Sequence, residues 1–211
     1  VGDEFVFQGK GNETDSLSKE KKMEKEAPAE HPIHALLSKR WSPFSFDAKP
    51  LTEDQLAVVF EAARWAPSCF NAQPWRFHLF FRGTPAHESL LDTLVPGNRE
   101  WAGDAPVLIL VAANLLFPGN GKKNVHAWYD VGQAVAHLTV QATACGLILH
   151  QMAGFNGEQA GRVAGLCQEE QAIAVAALGH PGSRQDFSPS ILSRMESPRV
   201  RVEQSSFVVR H

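Results

Sequence analysis

Ala66 to Phe77 reads APSCFNAQPWRF, and the fold turns on what this stretch joins. Upstream, Leu56 to Trp65 carries apolar residues at helical spacing; downstream, Phe77 to Phe81 has the composition of a strand. A helix-to-strand junction of this kind can hold a binding site on a rigid support. Ser68, Asn71 and Gln73 offer several hydrogen bonds to a planar polar ligand, and Trp75 can cover an apolar ring. A packed turn stopped by Pro67 and Pro74 accounts for the same residues, so both readings stand at this level.

Toward the N-terminus, Thr52 with Gln55 at N3 makes a capping box, and Glu53 and Asp54 suit the positive end of the helix that follows. Before it comes a short helix over Ile33 to Lys39, then Arg40-Trp41-Ser42-Pro43-Phe44-Ser45-Phe46 in extended or turning backbone. Arg40 can grip a phosphate with its donor fork and Ser42 can add a hydrogen bond; a surface Arg before apolar packing residues needs no ligand. Val1 to Glu30 is polar, with a charge run at Lys19 to Glu26, and predicts a disordered head before one domain over residues 31–211. The chain opens without an initiator methionine or a clear secretory signal, which leaves a truncated or processed terminus open.

Toward the C-terminus, Arg82 to Pro85 marks a turn, His87 to Val95 a helix, and Pro96 to Ala102 the turn that ends it. Asn98 can present a paired donor and acceptor there, or merely satisfy the turn after Gly97. Val107 to Ala113 is an apolar run suited to a strand covered on both faces. Phe117 to Asn124 is a surface loop that does not fit the GxxxxGK[ST] phosphate loop. Tyr129 to Leu149 reads as the longest helix, with small Gly132, Ala134, Ala136, Ala142 and Ala144 allowing close packing within the chain or across a dimer. Gln151 to Asn156 is a turn whose backbone NH groups can face a cofactor, Gly157 to Gly165 a helix, and Gln171 to Leu178 a second buried strand. In the tail, Arg199 and Arg201 share a side if the backbone is extended, as a phosphate patch or a solvated basic pair.

The chain has 211 residues, 44% hydrophobic, which suffices for one sizeable core. Twenty basic against 23 acidic residues give a net charge of -3, so there is no global electrostatic case for nucleic acid or an anionic membrane. No apolar run reaches membrane-spanning length. Cys69, Cys145 and Cys167 lack CxxC spacing and form no ligand group with the nine histidines, which argues against a metal site and for a reducing compartment.

Taken together, five stretches resemble the FMN-dependent nitroreductase family over roughly Pro32 to Val209. They are RWSPFSFD at Arg40 to Asp47, FEAARWAPSCFNAQPWRF at Phe60 to Phe77, NREWAGDAPVLI at Asn98 to Ile109, YDVGQAVAHLTVQATACGLILHQMAGF at Tyr129 to Phe155, and AIAVAALGHPG at Ala172 to Gly182. The tail SRMESPRVRVEQSSFVV fits the family's arginine-bearing end. The resemblance implies an α+β fold, a mixed sheet flanked by long helices, and an intertwined homodimer with FMN at each interface. It further implies electron transfer from NADH or NADPH, through FMN, to a nitroaromatic, a quinone or a related electrophile, while the cysteine pattern points to a cytoplasmic setting. By family pattern Arg40, Ser42, Arg199 and Arg201 resemble phosphate or ribityl-side contacts. Pro67, Ser68, Asn71 and Gln73 resemble the segment that reaches the flavin from the partner subunit, Asn98 a contact to the polar ring edge, and Ala153 and Gly154 the turn near N5. Hydride chemistry at N5 calls for no catalytic side chain. Phe44 and Trp101 depart from the pattern, since many members carry a cation at the first position and some at the second. They imply an altered flavin potential or a more apolar pocket, unless another basic group substitutes. A flavin-binding regulatory or structural dimer with little turnover is the alternative.

Overall fold

The computed structural model describes residues 25–211. Most of the expected head therefore lies outside the described residues. The part that is described, Lys25 to Glu30, lies against the domain: the Ala27 N–H donates to the Ser38 carbonyl at 2.9 Å, and Lys25 Nζ donates to the Ser197 carbonyl at 2.9 Å and to that of Met195.

Among the described residues, seven α-helices and five strands follow in the order α1 (Ala35–Lys39), β1 (Phe46–Asp47), α2 (Glu53–Arg64), β2 (Trp75–Phe81), α3 (Pro85–Leu91), α4 (Pro96–Ala102), β3 (Val107–Asn114), α5 (Ala127–Ala144), β4 (Ile148–Met152), α6 (Gly157–Ala164), β5 (Glu170–Pro181) and α7 (Pro189–Glu196). The capping box starts α2 as expected: Thr52 Oγ1 accepts from the Gln55 N–H at 3.2 Å, and Gln55 Oε1 accepts from the Thr52 N–H at 3.0 Å.

The order β1-β5-β3-β2, with β4 also on β5, makes one five-stranded sheet. Val175 to Leu178 of β5 pairs with Leu110 to Val107 of β3 on one edge and with Met152 to Leu149 of β4 on the other. The α+β architecture is the expected one, but the sheet differs in detail, because all four strand pairings are antiparallel rather than mixed. The reason is β5, which inserts between β3 and β4 and so separates two strands that run the same way across the α5 crossover.

Alternation along β3 sends its side chains to two cores. Leu108 and Leu110 join Phe80, Leu90, Trp101, Val175 and Ile191, whereas Val107, Ile109 and Val111 join Leu56, Val59, Val131 and Leu138 of α2 and α5. Each fully buried Leu or Ile contributes about 1.5–3 kcal/mol relative to exposure, so β3 anchors both layers.

Two boundaries correct the sequence reading. Pro96 to Ala102 is a helix, because Pro96 stands where its missing N–H costs nothing, so Asn98 sits in a first helical turn. The longest helix stops at Ala144 because Gly146 adopts a left-handed φ of 70°, and Ile148–Met152 is released as strand β4.

Candidate functional site

The extended backbone at Arg40, just past α1, aims its side chain at the C-terminal arm. Arg40 Nη1–H donates to Ser42 Oγ at 3.2 Å. Arg199 Nη1–H donates to the carbonyls of Lys25 at 2.5 Å and Ser38 at 2.6 Å, which pins the arm beside α1. Arg201 Nη1–H donates to the Val200 carbonyl at 2.7 Å. Arg40, Arg199 and Arg201 line one cavity of about 600 Å³, together with Glu30, His31 and Phe207. Among the described residues none of the three has a carboxylate oxygen within 4.0 Å. Burial, then the neighbouring charges of Arg199 and Arg201, lowers the pKa of Arg40; burial, then Arg201, lowers that of Arg199. Arginine stays charged regardless, so the cavity concentrates positive charge that an anion would relieve.

The 66–77 junction is under backbone strain. Phe70, Asn71 and Gln73 have φ of 51°, 53° and 48°, a region that costs non-glycine residues of order 1–3 kcal/mol each and persists only where the surroundings enforce it. The enforcement is visible. Ser68 Oγ accepts from the Gln73 N–H at 3.0 Å, Gln73 Nε2 donates to the Asn71 carbonyl at 3.0 Å, and the Cys69 N–H donates to the buried Asp130 carboxylate of α5 at 3.0 Å. The Asn71 side chain makes no hydrogen bond among the described residues, and Phe70 is 91% exposed. Pro67, Ser68, Asn71 and Gln73 are not among the residues that line the arginine cavity.

Asn98 and Gly154 meet directly. Asn98 Nδ2 and the Val95 N–H both donate to the Gly154 carbonyl at 3.0 Å. A Cβ on Gly154 would stand 2.8 Å from Val95 and 2.9 Å from Asn98 Nδ2, so a side chain there would push both aside. The N–H groups of Ala153 and Gly154 make no hydrogen bond among the described residues and remain available as donors.

Phe44, Trp101 and His150 form a buried aromatic wedge. Phe44 is 4% and Trp101 0% exposed; their rings meet edge-on at 5.3 Å, and His150 stacks on Trp101 at 4.3 Å. His150 Nδ1 lies 2.7 Å from the Pro43 carbonyl and donates to it. Burial pushes its pKa down to about 4, against that hydrogen bond and with help from Arg194 and Arg40, so the ring is neutral at pH 7. The guanidinium of Arg194 on α7 lies 4.7 Å over Phe44. The sequence reading assigned Arg194 no role; an aromatic where a cation is expected was the signal to look for a substitute. The arginines therefore converge, Asn98 joins Gly154, and the junction stands apart from both within one chain.

The family model described as the Nitroreductase family matches residues 37–180. The chain belongs to the nitroreductase family. A solved structure titled an oxidoreductase containing FMN superposes with a TM-score of 0.79 at 28% identity, covering 86% of this chain and 92% of that one. A Cupriavidus pinatubonensis relative provisionally named an NADH dehydrogenase/NAD(P)H nitroreductase is 25% identical over 179 residues, 74% of this chain and 86% of its own length. A Rhodopseudomonas palustris relative with the same provisional name is 33% identical over 73 residues, 35% of this chain and 37% of its own length. The matched span of this nitroreductase-family chain contains Arg40, the strained junction, the Asn98–Gly154 contact and the wedge residues Phe44, Trp101 and His150; Arg194, Arg199 and Arg201 lie beyond it.

Proposed function

We propose that this chain is an FMN-dependent oxidoreductase that takes electrons from NADH or NADPH and reduces nitroaromatics, quinones or a related electrophile. The observation that carries the reading is the trio Arg40, Arg199 and Arg201, unpaired with any described carboxylate around a cavity of about 600 Å³. A phosphate monoester matches that donor set. Ser42 orients Arg40, the acceptor Oδ1 of Asn98 suits the polar ring edge, and the N–H groups of Ala153 and Gly154, free among the described residues, suit the N5 side of the ring. When bound, FMN supplies the redox chemistry by accepting a hydride at N5 and passing the electron pair to the electrophile. The residues of this chain hold, orient and polarise the cofactor, and none is needed as a nucleophile.

The reading includes a homodimer in which Pro67, Ser68, Asn71 and Gln73 reach the cofactor bound by the partner subunit. Its support is apolar surface one chain leaves open: Trp65 71%, Phe70 91%, Tyr129 70% and Val209 72% exposed. The domain would span residues 31–211. Three free cysteines, and no described helix long and apolar enough to cross a membrane, suit a cytoplasmic setting.

The test is the absorbance spectrum of the purified protein, followed by anaerobic addition of NADH and NADPH separately. Stoichiometric flavin that bleaches with a nicotinamide and recovers with a nitroaromatic or quinone is the expected result. Flavin that binds but resists both donors would leave a flavin-binding structural or regulatory dimer, and no flavin binding would overturn the reading.

A further inference from the structure

Among the described residues, Arg194 is held at its guanidinium by the aromatic ring of Phe44. Its guanidinium lies over the Phe44 ring at 4.7 Å, yet among the described residues it has neither a hydrogen bond nor a carboxylate within 4.0 Å. Arg184, the comparable case on Phe187 at 4.6 Å, is tied to Asp104 and Asp186. Toward the described residues, all five N–H donors of Arg194 are thus uncommitted.

Its place in the fold narrows what they can serve. Phe44 lies two residues beyond Ser42, Trp101 three beyond Asn98, and His150 four before Gly154, so the wedge packs together the three segments that carry those proposed contacts. The arginine end already has three cations. The wedge end has two aromatic rings and a neutral imidazole, leaving Arg194 as the cation set directly on it.

We infer that Arg194 is the cation that faces the N1–C2=O edge of the flavin ring and holds its reduced form in preference to its oxidised form. The inference rests on the FMN reading above. A hydride passed from a nicotinamide to bound FMN would bring two electrons and one proton to the ring, and the remaining negative charge would settle on the N1–C2=O edge. A guanidinium backed by apolar Phe44 is poorly hydrated on one face, so its charge acts through a medium less screening than water. Phe44 then serves as the platform that holds this cation, which replaces the cation missing from its own position.

The experiment compares wild type, Arg194→Gln, Arg194→Lys and Arg199→Gln for oxidised-FMN affinity by fluorescence quenching of the apoprotein, and for bound-flavin midpoint potential by dye equilibration. Arg194 is exposed, so its variants should fold, which thermal melts of the apoproteins check. Arg194→Gln should keep oxidised-FMN affinity within a factor of about three while losing roughly tenfold in reduced-FMN affinity, a fall of about 30 mV for a two-electron couple. Arg194→Lys should retain most of the wild-type potential, and Arg199→Gln should weaken both redox forms alike. An unchanged potential in Arg194→Gln overturns the inference, as does a loss of oxidised-FMN affinity equal to that of Arg199→Gln. Failure of wild type to bind FMN would show in the first titration and would overturn the cofactor reading itself.

Discussion

Asp130 connects the long helix to the strained junction through one bond, from the Cys69 N–H at 3.0 Å to a carboxylate that is 2% exposed. A hydrogen bond to a charged group contributes about 1.5–3 kcal/mol, and its loss would free a turn whose φ angles are unfavourable. Asp130→Ala should lower unfolding free energy by about 2 kcal/mol and weaken FMN binding, whereas Asp130→Asn, which keeps an acceptor, should recover most of both. Equal damage from the two variants in urea melts and FMN titrations would contradict the positioning role. His150 makes a second residue-scale prediction. Its pKa is about 4 when folded and about 6.5 when unfolded, so below pH 6.5 the unfolded chain binds the extra proton. Stability should therefore fall as pH drops from 6.5 to 4, by on the order of 3 kcal/mol, and level off below. Urea unfolding of wild type and His150→Phe across that window should show a flatter profile in the variant. Little of this was legible in the sequence. Arg40, Ser42, Arg199 and Arg201 matched a pattern, but the closure of the C-terminal arm onto α1 is a long-range contact that no local periodicity encodes. The burial of Phe44 and Trp101 and the placement of Arg194 over the first likewise come from packing.

At the scale of elements, local rules worked where one force dominated. The apolar run of β3 and the capping box of α2 were readable because burial on both faces and one side-chain exchange determine them. Thr52→Ala should cost about 1 kcal/mol of unfolding free energy in a chemical melt. The rules failed for α4, whose Pro96-Gly97-Asn98 start looks like a turn until Pro96 is placed at the first helical position. They failed again for β4, whose Ile148 and Leu149 continue an apolar pattern that only the left-handed Gly146 interrupts. Asn98 of α4 and the turn Ala153–Gly154 just past β4 carry proposed cofactor contacts, and they meet at Gly154. Gly154→Ala should displace Asn98 and Val95, cost about 1–3 kcal/mol through overpacking, and reduce FMN affinity. Wild-type melting and wild-type affinity in that variant would show that the close approach has no consequence.

For the whole molecule, the single chain leaves two things open. The segment 67–73 makes no part of the arginine cavity, and Trp65, Phe70, Trp128 and Tyr129 expose aromatic surface beside it on α2, the junction and α5. The proposed dimer, in which a second copy covers this surface and brings its junction to the cavity, would account for both. Sedimentation should give about twice the mass of one chain, and Tyr129→Lys should shift it toward monomer with loss of FMN. The most direct test is a titration of the flavin-free protein with FMN, read by flavin fluorescence, with the bound complex then exposed anaerobically to NADH and NADPH. The expected result is one FMN per chain, held by a dimer, and bleaching of the flavin absorbance by at least one nicotinamide. Saturable binding that survives the loss of Arg40, Arg199 and Arg201 together, or no binding at all, would contradict it.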